Sequence, residues 1–160
     1  MAQTPSVKDI DLGWGEIKKN LLELSVIQAE VGHYEEDLHP SGLGMAELAQ
    51  KMELGFVNQL NILVPPRPFH EFTSNRNSSE TANMSENVVD RLFKNRGSVK
   101  GSVTTLGLWY ARKMKEGIED FSSPANRPYT IERKGFDNPL VDEGDFKNGV
   151  KSKVVDRREM

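Results

Sequence analysis

Hydrophobic and polar positions along this chain follow two alternating periods. Trp14, Ile17, Leu21 and Leu24 recur at intervals of three or four, with Leu22 beside them. Glu16, Lys18, Lys19, Asn20 and Glu23 fall mostly on other faces, so the spacing predicts an amphipathic helix. From Ser25 the period shortens. Ile27, Ala29 and Val31 alternate with Gln28 and Glu30, as in a strand with one wet face. After an acidic loop over 33–44, Met45, Leu48, Ala49, Met52 and Phe56 restore a helical stripe. Leu60 to Val64 is a short apolar run, expected as a strand. Pro65-Pro66-Arg67-Pro68 stops it, because proline has no donor for a ladder. Residues 73–86 are dominated by Ser, Asn, Thr and Glu and read as a polar loop, or a segment ordered by a partner. Ser85 is then placed to cap a helix through Val88, Val89, Leu92 and Phe93, broken at Asn95-Arg96-Gly97. The longest stripe follows: Val99, Val103, Leu106, Tyr110, Met114 and Ile118. Gly107 near its middle costs about 1 kcal/mol against Ala, which marks close helix packing.

The stretch from Pro128 to Val150 organises the remainder. Thr130 is a candidate cap for a short helical turn, and Gly135 ends it at a left-handed position. Asn138-Pro139 enforces extended or turn geometry. Leu140-Val141 is a small apolar anchor, and Asp142-Glu143-Gly144 a second turn with a cap at Asp142. Phe146 and Val150 are four apart and face one core from a short helix. Alternatively, Val150 to Val154 sets basic residues at alternate positions, as a half-buried strand does. This is a shaped lid. The expected fold is α+β, a small sheet of short strands packed against two or three helices, with long loops. Residues 1–12 form a flexible arm, 13–155 one domain, and 156–160 a charged tail.

Composition narrows the function. The chain has 160 residues, enough for one real core. Its net charge of −3 and pI of about 5.7 give no bulk attraction to nucleic acid. Cysteine is absent, which excludes disulfides and thiolate zinc sites. Residues 1–8 carry no apolar run like a signal peptide, and no stretch approaches the ~20 apolar residues of a membrane helix. A soluble, intracellularly made protein is expected.

Candidate chemistry is sparse. His33, His39 and His70 lack ligand spacing and are expected in loops. Asp137, Asp142, Glu143 and Asp145 cluster, and such carboxylates suit calcium or an acid–base pair. A small metal-assisted hydrolase using Asp137 to Asp145 is therefore one alternative, although turn and capping roles explain the same residues. Gly97-Ser98-Val99-Lys100-Gly101-Ser102 does not meet the phosphate-loop order. Arg91, Lys94, Arg96, Lys100, Arg112, Lys113 and Lys115 gather around two helices, as a phosphate-contacting face, a solvated face or an interface rim. Arg67 between prolines and beside Phe69 suits an interface anchor, because stiff chain loses little entropy on docking; the rival reading is a corner with Phe69 in the core. The candidate interface is thus Arg67, Phe69, Arg96, Lys100, Asp142 and Asp145. No residue is assigned to catalysis, cofactor or metal.

Several short patterns also fall in order. Ser41-Gly42 precedes Met45-Ala46-Glu47-Leu48-Ala49 and Glu53-Leu54-Gly55; Val64-Pro65-Pro66-Arg67-Pro68-Phe69 follows. Much later come Thr130-Ile131, Lys134-Gly135, Pro139-Leu140-Val141-Asp142 and Gly144. From Val31 to Val154 this order resembles the neck and tail-completion proteins of long-tailed bacteriophages, a group that takes in minor tail protein Z of phage lambda as a distant likeness. Glu143 stands where that group usually has Thr. The resemblance implies a structural virion protein without an active site or cofactor, assembled in the host cytoplasm. It would form a ring with copies of itself, six-fold by the family's place in tails. It would join the head–tail connector or adaptor to the tail tube or its terminator, or itself be the terminator that caps the tube. Genomic DNA would pass through the lumen without specific binding, and no membrane is implied. Net negative charge suits such a passage, since bound phosphates would slow transit.

Overall fold

The computed structural model describes residues 13–94 and 96–159. The arm expected over 1–12 lies outside them, as do Asn95 and Met160. In chain order the elements are α1 (Trp14–Leu24), β1 (Ile27–Gly32), α2 (Met45–Leu54), β2 (Phe56–Val57), β3 (Leu63–Val64), α3 (Phe69–Arg76), α4 (Ser78–Phe93), α5 (Val99–Asp120), α6 (Pro128–Lys134), α7 (Asp145–Asn148) and β4 (Lys151–Asp156). The fold is α+β, with two antiparallel two-stranded sheets, β1–β4 and β2–β3.

The organising element is α5, 22 residues long. Ser98 caps it, its Oγ accepting from the Gly101 N–H at 3.1 Å. The expected stripe holds: Val99, Val103, Met114 and Ile118 are buried. The β1–β4 ribbon lies across this helix in the register Ile27↔Asp156 to Gly32↔Lys151. Gly107 does mark a close approach, but by strands and not by another helix. A Cβ there would stand 2.3 Å from Ser152 Oγ and 2.9 Å from Ala29 Cβ, closer than atoms tolerate. The close helix contact is about three turns further on, at Gly117, where a Cβ would lie 2.1 Å from Thr73 Oγ1 of α3.

Two apolar clusters sit at the two ends of α5. The larger joins Phe69, Ala111, Met114, Ile118, Phe121, Leu140, Phe146 and Val150 with Ala49 of α2. The smaller holds Val88, Leu92, Val99 and Val103, with Leu24, Ile27, Ala29, Leu106 and Val154 half-buried around it.

Several expectations are corrected. Residues 73–86 are not a loop; they run through α3 and α4. Their polar side chains satisfy the helix instead of breaking it. Asn77 Nδ2 donates to Thr73 O, Thr81 Oγ1 to Asn77 O and Ser85 Oγ to Thr81 O, each at 2.8 Å. Thr73 and Asn77 are buried, and the stripe continues to Val88 and Leu92. Ser85 accordingly lies inside α4 and caps nothing. Thr130 lies inside α6, which starts at Pro128, a favoured first helical position. Gly135 ends α6 at φ 81°, as expected. The cap position of α7 is Gly144, not Asp142. Leu60 belongs to a turn, so that strand is only Leu63–Val64. His70 is helical, in α3. Asp156 is the last residue of β4 and not part of a tail.

Candidate binding cleft and assembly surfaces

The three prolines at 65, 66 and 68 fix the backbone that carries Arg67 inward. Its N–H donates to Met52 O of α2 at 2.7 Å, and α3 begins at Phe69. Arg67 is only 8% exposed and Phe69 has no exposed surface. The anchor expected to face a partner therefore turns into the protein. Phe69 meets Phe146 edge-on, with ring centroids 5.3 Å apart, and His33 stacks on Phe146 at 4.3 Å. Burying such a ring contributes about 1.5–3 kcal/mol.

Arg67 lines a cleft of about 560 Å³ together with residues 139–146 of the lid. Asp142 and Asp145 line it too, so the fold gathers three of the candidate interface residues around one space. Arg96 and Lys100 lie elsewhere, both exposed at the α4–α5 junction. The lid is held by its own turn. Asn138 Oδ1 accepts from the Leu140 and Val141 N–H groups at 3.0 and 2.9 Å. Lys134 Nζ donates to Asn138 O at 2.7 Å and to Val141 O. Leu140 and Phe146 anchor it in the larger core.

The electrostatics of the cleft centre on Arg67. Its Nη1 donates to Pro139 O at 2.6 Å and its Nη2 to Asn126 Oδ1 at 3.0 Å. Both acceptors are neutral, and among the described residues no carboxylate stands within ion-pair distance of it. Burial lowers the Arg67 pKa, against the raising influence of Asp137. Burial likewise lowers the Lys134 pKa, with Arg67 and Arg133 adding to the effect and Asp142 opposing it. Arg67 Nε and Asn126 Nδ2 are buried donors without an acceptor. Each such group costs about 1–3 kcal/mol while unmade. Sequence reasoning missed Asn126; a polar residue in a Ser-Pro loop carries no signal of burial.

Asp142, Glu143 and Asp145 of the acidic cluster line the cleft together, while Asp137 is held apart in a backbone contact. Asp137 Oδ1 accepts from the Asn126 N–H at 2.9 Å, and Asp142 stands 3.5 Å from Arg133 on the surface. Among the described residues no three His, Asp or Glu side chains converge as a metal site. The basic helix face is mixed in charge: Lys94 pairs with Asp90, Lys113 with Glu80, and Arg112 with Glu116. Among the described residues no helix is long and apolar enough to cross a membrane.

No protein family, curated protein or solved structure matches this chain.

Among the described residues, exposed apolar side chains gather on the β2–β3 hairpin and on α1 with α4. The β2–β3 hairpin is built by Asn58, whose Oδ1 accepts from the Leu60 and Ile62 N–H groups at 3.0 and 2.9 Å. That turn lifts Leu60, 78% exposed, and the paired Val57 and Leu63, also exposed, into solvent. Leu54 is exposed nearby, and residues 54–64 contain no charge. The second surface lies on α1 and α4, where Leu21, Leu22, Val89 and Phe93 are exposed beside a shallow apolar groove.

Proposed function

We propose that this chain is a structural subunit of a tailed-phage virion, forming a ring at the head–tail neck that completes the tail. The observation that carries the reading is the β2–β3 hairpin. An uncharged turn that holds Val57, Leu60 and Leu63 in water is costly unless a neighbour covers it. The second apolar surface, on α1 and α4, is a different patch. One patch meeting a different patch on the next copy is the heterologous contact that closes rings. The ordered motifs from Ser41 to Gly144 supply the virion context, and the net charge of −3 suits a lumen that DNA traverses.

The test is the assembly state of the full chain. Native mass spectrometry and electron microscopy should find closed rings, of about six copies if the chain takes the place in tails of the family that it resembles. Replacing Leu60 and Leu63 by Asp should leave folded monomers. A wild-type chain that stays monomeric at high concentration, and joins neither heads nor tails in extracts, overturns the reading. Binding to isolated tail tubes but not to connectors would make the chain a tail terminator instead.

A further inference from the structure

Charge is segregated along this chain in two blocks that the hairpin contact does not use. Residues 91–100 hold four bases and no acid, and residues 135–146 hold four acids and no base. Folding leaves much of both blocks on the surface. Arg91, Arg96 and Lys100 are exposed where α4 gives way to α5. Lys94 pairs with Asp90; the other three bases meet no carboxylate within ion-pair distance among the described residues. Asp156 answers first to Arg158, which bonds it directly, and only weakly to Lys100. Asp142 and Glu143 are exposed on the lid, with Asp145 half-exposed beside them. Asp142 stands 3.5 Å from Arg133, and Glu143 and Asp145 have no ion-pair partner among the described residues.

The two blocks lie toward opposite ends of α5. The bases surround its first turn, while Leu140 and Phe146 of the lid pack with Met114 and Ile118 near its last. Its 22 residues span about 33 Å, several times the ~8 Å over which exposed charges act at physiological salt. Neither block can therefore neutralise the other within one chain. We propose that the basic block of one copy docks against the acidic lid of a second copy, head to tail. The inference rests on the reading that copies of this chain assemble, and it names what orients them. Exposed ion pairs contribute little affinity each, but they steer the encounter and fix its direction. Docking base to base or acid to acid would set like charges together, which disfavours a two-fold dimer through either block. Only the head-to-tail arrangement pairs both blocks, and that contact repeats around a ring. A DNA duplex would meet the basic block but leave the acidic one unmatched, in a chain whose net charge is −3.

A charge swap tests the pairing. One full-length variant carries Arg96→Glu with Lys100→Glu; the other carries Asp142→Lys with Glu143→Lys. Sedimentation velocity should show wild-type association weakening as salt rises from about 50 mM to about 0.5 M. Each variant alone should associate about tenfold or more weakly than the wild type, since its own two blocks now repel. An equimolar mixture of the two should regain assembly, because every junction between unlike copies again joins opposite charges. Misfolding of either variant cannot produce that recovery. Wild-type rings indifferent to salt and to both variants overturn this inference and leave the ring reading standing. A mixture that stays dissociated like its components overturns the pairing of these two blocks. A wild-type chain that remains monomeric overturns both readings. If a short DNA duplex binds the wild type, is lost by Arg96→Glu with Lys100→Glu, and assembly is unchanged in that variant, the basic block serves nucleic acid and the proposal is overturned.

Discussion

The two ends of α5 solve the same packing problem differently. At the C-terminal end, Phe69, Met114, Ile118 and Val150 are fully enclosed, because α3, the lid and α7 close over them. At the N-terminal end only Val88, Leu92, Val99 and Val103 are buried, and their neighbours are half-exposed. A mostly apolar cleft of about 410 Å³ remains open there between β1, α4 and α5. One end completes its core within the chain. The other leaves apolar surface that only a further contact would cover. The sealed core and the open apolar cleft thereby lie toward opposite ends of one helix.

The sharpest way to break that contrast is to hollow each end. Phe69→Ala should cost about 3–5 kcal/mol in urea unfolding, because its sealed surroundings cannot collapse onto the void. Leu92→Ala should sit near the low end of the range for such truncations, about 2 kcal/mol, since its rim is free to relax. Equal losses at the two positions would remove the distinction.

Overfilling is the next test. Gly117→Ala drives a methyl against Thr73 in the enclosed end and should cost about 1–3 kcal/mol. Thr73→Ala in the same chain takes away the opposing Oγ1 and should recover part of that loss. A Gly117→Ala variant as stable as the wild type would mean that α3 shifts freely.

The smallest effect is expected from acid. Burial lowers the pKa of His33, against the bond to Phe146 O that raises it; His70 lowers it further and Asp37 opposes. Nε2–H donates to Phe146 O at 2.7 Å in the neutral form, and Nδ1 is buried without a partner. The unfolded chain takes up a proton near the ordinary value of 6.5, before the folded chain does. Stability present above pH 6.5 should therefore fall as the pH drops from there toward the lowered folded value. Urea midpoints for wild type and His33→Gln check this: the pH slope below 6.5 should shrink in the variant.

Much of this architecture is legible in the sequence. The three-and-four spacing of α1 and α5, the alternation in β1, the left-handed stop at Gly135 and the shared burial of Phe146 and Val150 all follow from pattern and turn chemistry. Residues 73–86 were not legible because burial there falls on Thr73 and Asn77, whose polarity mimics a loop. Their four-residue spacing from Phe69 was the available signal. Arg67 left two readings open, an interface anchor and a corner with Phe69 in the core. The fold shows the corner, with Phe69 enclosed and Arg67 carried inside by three flanking prolines and its bond to Asn126. Where a polar residue is buried by long-range contacts, local periodicity has nothing to register.

The β1–β4 ribbon has one more consequence. It joins residues 27–32 to residues 151–156, so residues 33–150, 118 of the 160, lie between its two halves. A nascent chain on the ribosome cannot zip this pair until its final strand has left the exit tunnel. A chain cut before residue 151 would therefore leave β1 unpaired and the β4-covered face of α5 open to solvent.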